Sequence, residues 1–268
     1  MPYICSFVAI MKLQFFKYQG TGNDFVIIDN RQDIFPKNNT ELVAQLCDRR
    51  FGIGADGLIL LENDNLSDFK MVYYNADGGE SSMCGNGGRC LVAFAHYLGV
   101  IGNKTTFNAV DGLHEATIEG DLVNLKMVDV DEIREKPAYS FLDTGSPHHV
   151  QLVEGLTNFD VHKEGEKLRY GLYGKAGSNI NFVEQSGDDA FQVRTYERGV
   201  EDETFSCGTG VTAVAIAMHK SGKTTSNTVK IHTPGGDLSI SFEQNKGHYT
   251  NIYLKGPATQ VYKGDIAC

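Results

Sequence analysis

The chain has 268 residues, enough for one large domain or two of ordinary size, with a net charge of −10 and a pI ≈ 5.2. No Lys/Arg cluster interleaves with aromatic residues, so the phosphate-neutralising surface that nucleic-acid binding needs is missing, and no segment approaches transmembrane length. Six cysteines (Cys5, Cys47, Cys84, Cys90, Cys207 and Cys268) form no dense framework and no C-x-x-C pair, which fits reduced thiols in a cytosol.

The apolar run Tyr3 to Met11 is too short to span a bilayer and has no basic residue ahead of it. It is not read as a signal peptide; Met11 reads as a natural start, and residues 1–10 as a dispensable tail. Strands are expected over Leu13 to Tyr18 and Phe25 to Asp29, with Gly20-Thr21-Gly22-Asn23-Asp24 as the loop that carries Asn23. A helix capped at Thr40 runs to Arg50, with Leu42, Val43, Leu46 and Cys47 on its inner face, so Cys47 reads as core. Strands Leu58 to Glu62 and Phe69 to Tyr74 follow, and the turn Asn75-Ala76-Asp77-Gly78-Gly79 delivers the chain to Cys84.

From Met83-Cys84-Gly85-Asn86-Gly87-Gly88-Arg89-Cys90 the chain enters a nearly uncharged run, Leu91 to Leu98. The same arrangement returns at Ser206-Cys207-Gly208-Thr209-Gly210, followed by Val211 to Met218. Apolar residues on every side predict helices buried all round, each beginning at its cysteine. Cys84 and Cys207 are 123 residues apart, and the same offset relates Gly54 to Gly177, Gly99 to Gly222 and Gly112 to Gly235. His96 and His219 align too and read as core residues without a catalytic role.

The expected fold is therefore α/β (α+β): two pseudo-symmetric domains from an internal duplication, each a sheet around a central buried helix, with the site in the cleft between them. The charged stretch Val128 to Pro137 marks the boundary, placing residues 11–128 in the first domain and 129–257 in the second. Residues 258–268, with strand-like Gln260-Val261-Tyr262, are expected to pack back on the first, and Cys268 to be inert.

A cysteine at a helix N-terminus lies beside free N–H groups and the positive end of the dipole, which lowers a thiol pKa from ~8.5 toward ~3.5–7.5. Two such groups facing one cleft suit stereochemical inversion, with a thiolate taking a proton from one face of a carbon and a thiol returning one to the other. Free N–H groups of Gly85, Asn86, Gly208 and Thr209 would meet the charge that develops on an adjacent carboxylate. No dinucleotide fingerprint, Walker loop or metal-spaced His/Cys set competes, so neither cofactor nor metal is expected. The glycines after Cys84 resemble a phosphate cradle, a reading that leaves the matched cysteines unexplained; two merely structural cysteines are the blander alternative.

The ordered set Gly20-Thr21-Gly22-Asn23-Asp24-Phe25, Gly52-Ile53-Gly54-Ala55-Asp56-Gly57, Asn75-Ala76-Asp77-Gly78-Gly79-Glu80, Met83 to Gly87, Tyr196-Glu197-Arg198-Gly199 and Cys207 to Gly210 resembles the diaminopimelate epimerase family. The resemblance covers about Met11 to the end. It implies cofactor-independent interconversion of LL- and meso-diaminopimelate, in lysine and peptidoglycan precursor biosynthesis, by a cytoplasmic homodimer. Cys84 and Cys207 are implied as the base and acid. Asn23, Asn75, Gly85, Asn86, Asn179, Glu197, Arg198, Gly208 and Thr209 are implied as substrate contacts, and His148 and Glu197 as groups that tune the thiols. The Pro147-His148 spacing selects His148 over the adjoining His149.

Asn23 and Asn75 also read as turn formers, and Arg198 as a partner of Glu201 or Asp202. The chain departs from the family pattern at Ser146, where many relatives carry Asn, and at Gly57, where some carry Gln. Two other functions fit parts of the pattern: a proline or hydroxyproline epimerase on the same fold, and a thiol redox switch.

Overall fold

The computed structural model describes residues 12–81 and 83–268; the expected tail, with Cys5 and Met11, lies outside them. The first half contains β1 (Lys12–Gly20), β2 (Asn23–Asp29), α1 (Thr40–Cys47), β3 (Gly57–Glu62), β4 (Phe69–Asn75), α2 (Gly85–Tyr97), β5 (Lys104–Ala109), β6 (Gly112–Glu119) and β7 (Leu122–Lys126). It leads into β8 (Ile133–Glu135), β9 (Ser140–Asp143), β10 (Pro147–Leu152), α3 (Val161–Gly171), β11 (Asn179–Gly187), β12 (Ala190–Glu197), β13 (Asp202–Thr204), α4 (Gly208–Lys220), β14 (Thr228–Thr233), β15 (Gly236–Asn245), β16 (His248–Pro257) and β17 (Thr259–Ala267).

The duplication is explicit in the pairing. β1 pairs antiparallel with β2, which runs parallel to β3, and β3 returns antiparallel with β4. β9, β10, β11 and β12 repeat that order and those directions. The parallel steps are the ones that need a crossover helix, supplied by α1 in the first half and α3 in the second. Parallel pairs also link β4 to β5 and β12 to β14, with α2 and α4 in the respective connections.

Each half ends by joining the other. β8 follows β7 but pairs with β9, and β17 follows β16 but pairs with β1 over most of its length. β7 itself pairs antiparallel with β16. The result is a mixed α/β fold of two repeated halves, mostly sheet with few helices, in which the strands form one continuous hydrogen-bonded system.

Strands next to the central helices are buried on both faces, which explains uninterrupted apolar runs such as Phe25-Val26-Ile27-Ile28 and Leu58-Ile59-Leu60-Leu61. Phe25, Ile27, Ile59 and Leu61 pack toward α2, in a core that also takes in Val211, Val214 and Ile216 of α4. The alternate residues Val26, Ile28, Leu58 and Leu60 pack toward Leu42, Val43 and Leu46 of α1.

Three local expectations are corrected. Thr21 and Gly22 both have positive φ (51° and 85°), as in a two-residue primed hairpin turn, so the strand starts earlier than expected and Asn23 is the first residue of β2, not part of a longer loop. α1 is capped by Asn39, whose side chain accepts from Leu42 N, and ends at Cys47, where Asp48 turns extended and receives Arg50 N and Phe51 N. His96 is exposed near the far end of α2 and bonds Gly102 O, whereas His219 is half-buried against Phe242 and Tyr249.

Because Leu91 of α2 is fully enclosed, Leu91→Ala should lower unfolding free energy by about 2–5 kcal/mol, read from urea denaturation at unchanged m-value.

Candidate active site

Both central helices begin directly after a cysteine. Cys84 and Cys207 are the N-caps, with extended backbones (φ −105°, ψ 125° and φ −122°, ψ 113°), and each helix is 13 residues long. No side chain caps either end. The first N–H groups of each helix are consequently free for the thiol or for a bound anion.

The two N-termini meet. A Cβ added to Gly85 would lie 3.6 Å from Gly208 Cα, and one added to Gly208 would lie 3.4 Å from Gly85 Cα and 3.1 Å from Leu254 Cδ2. Glycine at both positions is what allows this approach. The contact is reinforced by Asn86, whose Nδ2 donates to Ser206 O at 3.0 Å and to Asn23 Oδ1 at 3.3 Å.

On the first side, Cys84 Sγ donates to Asn23 Oδ1 at 3.5 Å. Asn23 is oriented from behind, because its Nδ2 donates to Asp56 Oδ2 at 2.7 Å, and a carboxylate oxygen can only accept. Arg49 clamps both Asp24 and Asp56, and Lys17 pairs with Asp24 at 2.7 Å. Burial pushes the Asp24 carboxyl up, but hydrogen bonds from Arg49 and Lys17 more than offset it and hold Asp24 well below the usual carboxylate range.

On the second side the chain of partners is Asn181, His148, Thr209 and Cys207. Asn181 Nδ2 donates to His149 O at 2.8 Å and approaches His148 Nδ1 at 3.2 Å, which leaves Nδ1 as the acceptor. His148 Nε2 then carries the hydrogen toward Thr209 Oγ1 at 2.9 Å, and Thr209 Oγ1 lies 3.5 Å from Cys207 Sγ. Burial, aided by the charge of Arg198, lowers the His148 pKa to about 3, so the ring is neutral at pH 7. His149 points to the other face of β10, stacked on Tyr139 and bonded to Tyr173 Oη and Gln151.

Glu197, at the end of β12, accepts from Thr204 Oγ1 at 2.9 Å. Burial raises its pKa, and its charge in turn acts on both Cys84 and Cys207. Asn179 joins two pieces of the site: its Nδ2 donates to Ser146 Oγ at 3.0 Å and its Oδ1 accepts from Arg198 N at 2.8 Å. Arg198 is exposed, and its guanidinium donates to Ala176 O at 3.0 Å. The alternative pairing of Arg198 with Glu201 does not occur, since Glu201 bonds Arg169 at 3.0 Å.

Asn75 is exposed at the end of β4, with its backbone closing the Asn75–Gly79 turn; it lies opposite Gly57 in the strand register. A side chain at Gly57 would meet Tyr73 Cε2 and Tyr74 O, both at 2.6 Å, which accounts for glycine there. The structure thus gathers Cys84, Gly85, Asn86, Asn23, Gly208, Thr209, Cys207 and His148 about the meeting point, with Asn179 beside His148 and the Arg198 backbone held by Asn179.

The expected fall in thiol pKa is not what the geometry produces. Burial pushes both thiols up, and Glu197 adds to this, outweighing the N–H groups of Gly87 and Asn86 at Cys84 and the Thr209 hydroxyl and Gly210 N–H at Cys207. The helix ends lower the cost of a thiolate without making it the favoured form. Asp56, Arg49 and Asn181 support the site although the sequence pattern assigns them no role; Asp56 lies within Gly52-Ile53-Gly54-Ala55-Asp56-Gly57, and the 123-residue offset pairs Asn181 with the apolar Leu58. No group of three His, Cys, Asp or Glu side chains among the described residues is placed to hold a metal ion.

The duplicated sheet-and-helix fold is shared with several solved chains. A phenazine biosynthesis protein of the PhzF family from Bacillus anthracis superposes with a TM-score of 0.78 at 13% identity, covering 96% of this chain and 99% of that one. A hydroxyproline epimerase from Agrobacterium vitis gives 0.72 at 15% identity, with 96% and 92% covered. These likenesses show the fold. The family model described as diaminopimelate epimerase matches residues 15–132 and 140–261. Curated relatives of that name include one from Flavobacterium psychrophilum, 63% identical over 95% of this chain and all of its own length, and one from Chlorobaculum tepidum, 45% identical over 92% and 98%. The chain belongs to the diaminopimelate epimerase family and is an isomerase.

Thr209→Val keeps the volume but removes the hydroxyl between His148 and Cys207, and should lower kcat by about 10²–10³-fold with an unchanged melting curve.

Proposed function

We propose that this chain interconverts LL- and meso-diaminopimelate by proton transfer between two thiols, without a cofactor. The observation that carries the reading is the contact of Gly85 with Gly208, which brings Cys84 and Cys207 to one place from opposite halves. One sulfur, as thiolate, takes the α-proton from one face of the amino-acid carbon, and the other, as thiol, returns a proton to the opposite face. Each acid–base step is worth about 10²–10⁴-fold when the group is held in place.

Charge developing in the transition state spreads onto the α-carboxylate. Free N–H groups at the two helix ends offer donors for it, and two converging positive dipole ends favour an anion between them. Asn23 and Asn86 would orient the amino-acid end, and Arg198, with no carboxylate partner among the described residues, is suited to the distal carboxylate. Excluding water matters here because a buried thiolate is a stronger base; the raised thiol pKa values are the form this takes.

The placement of a cytoplasmic homodimer in lysine and peptidoglycan precursor synthesis belongs to the same proposal and rests on the family. No helix among the described residues is long and apolar enough to cross a membrane.

Purified protein without pyridoxal phosphate or added metal should equilibrate the two isomers. In heavy water, early product should carry deuterium at the inverted carbon while unreacted substrate stays protiated. Cys84→Ala and Cys207→Ala should each lower epimerisation by several orders of magnitude. Dependence on pyridoxal phosphate, or deuterium entering unreacted substrate first, would overturn the two-thiol reading.

A further inference from the structure

The two halves fill one equivalent corner of the cleft in opposite ways. Sheet pairing, and not the sequence offset, sets the equivalence here, because a one-residue slip would turn every side chain to the other face. Leu58 and Tyr74 are paired across β3 and β4 and pack with α1, while Ile180 and Tyr196 are paired across β11 and β12 and pack with Val161 and Leu168 of α3. Gly57 therefore corresponds to Asn179, and Tyr73 to Thr195. The parallel pairs agree: Gly57 lies beside Phe25 of β2, and Asn179 beside His148 of β10.

In the second half the polar group of this corner is the amide of Asn179, next to His148, and Thr195 turns its hydroxyl to Asn181 Oδ1 at 3.0 Å. In the first half Gly57 has no side chain, and Tyr73 reaches over it. A Cβ built on Gly57 would lie 3.1 Å from Tyr73 Oη, so the hydroxyl occupies space that an amide at this position would reach. Its ring is held edge-on by Phe25, with centroids 6.0 Å apart, and Phe25 Cζ in turn lies 3.4 Å from a Cβ placed on Gly87, in the first turn of α2. Gly57 follows Asp56, whose carboxylate holds Asn23, which accepts from Cys84. Tyr73 thus belongs to the wall of the site on the Cys84 side.

The hydroxyl is uncommitted. Those of Tyr18, Tyr74, Tyr173 and Tyr249 bond Gln260, Lys37 O, His149 and His219, whereas that of Tyr73 has no partner among the described residues. The residue is half-buried, with its ring packed against the core. Burial holds the phenol above the ordinary tyrosine range, so it keeps its proton at neutral pH. A phenol that keeps its proton is a donor, and the groups of an amino acid able to accept are its carboxylates.

We propose that Tyr73 is a further substrate contact: its hydroxyl, standing in the first half where the amide of Asn179 stands in the second, donates to a carboxylate of the bound amino acid. The identity of that amino acid comes from the epimerase reading, on which this contact rests.

Tyr73→Phe removes the hydroxyl and keeps the ring over Gly57. It should raise KM for diaminopimelate so that kcat/KM falls about 10–100-fold, with kcat within about twofold and the melting curve unchanged. In the natural chain labelled with ¹³Cζ-tyrosine, the NMR resonance that Tyr73→Phe deletes should shift when diaminopimelate is added. An unchanged KM in Tyr73→Phe, or a Tyr73 resonance that saturating diaminopimelate leaves in place, would overturn the proposal. Failure of the epimerase reading shows differently, as a natural chain that does not turn over diaminopimelate. The same resonance is then titrated with hydroxyproline, the substrate of the competing reading: a shift supports the contact, and a resonance unmoved by both amino acids overturns it.

Discussion

The contact between Gly85 and Gly208 is the constraint on which the rest depends. Two helix N-termini, each carrying about half a positive charge, repel one another in a dry interior unless an anion lies between them. The fold holds them together by other means. Asn86 donates across to Ser206 O, β7 pairs with β16, and each half sends its closing strand to the other. Two converging positive helix ends suit the binding of a carboxylate between them and the stabilisation of extra charge on it.

Burial works against the thiols and for the chemistry at once. It raises both above their ordinary value, so the resting site favours neutral sulfur. It also removes water that would weaken a thiolate once formed. Around each sulfur the supporting groups differ: Asn23, fixed by Asp56, accepts from Cys84, whereas Cys207 faces a hydroxyl backed by the neutral His148. The two halves repeat the backbone faithfully and not the electrostatics.

Much of the backbone could be read from the sequence because it is periodic. The matched Cys-Gly-x-Gly runs located α2 and α4, and the constant offset of 123 residues made the duplication visible. α3 went unseen, since it is rich in charged residues and Gly165 interrupts it; that glycine is there because a Cβ would lie 2.4 Å from Tyr196 Cβ. The partner strand of β17 was equally hidden, because β1 lies 240 or more residues away and such pairing leaves no local trace. The site was legible where residues sit in short motifs, as at Cys84 to Asn86 and Glu197-Arg198. It was illegible where support comes from ion pairs between distant positions, as in Asp24, Arg49 and Asp56. The direction of the thiol shift was misjudged for a related reason: a helix end is a local feature, whereas burial is set by the whole fold.

The central claim is that Cys84 and Cys207 face each other across a gap that only substrate fills. Mild oxidation with diamide, with and without diaminopimelate, followed by non-reducing peptide mapping, tests it directly. A disulfide needs Cα atoms about 4.4–6.8 Å apart, within reach of two cysteines that cap helices in contact. The account predicts reversible inactivation through a Cys84–Cys207 bridge and protection by substrate. Activity that survives oxidation, or a bridge that instead involves Cys47, Cys90 or Cys268, would contradict it.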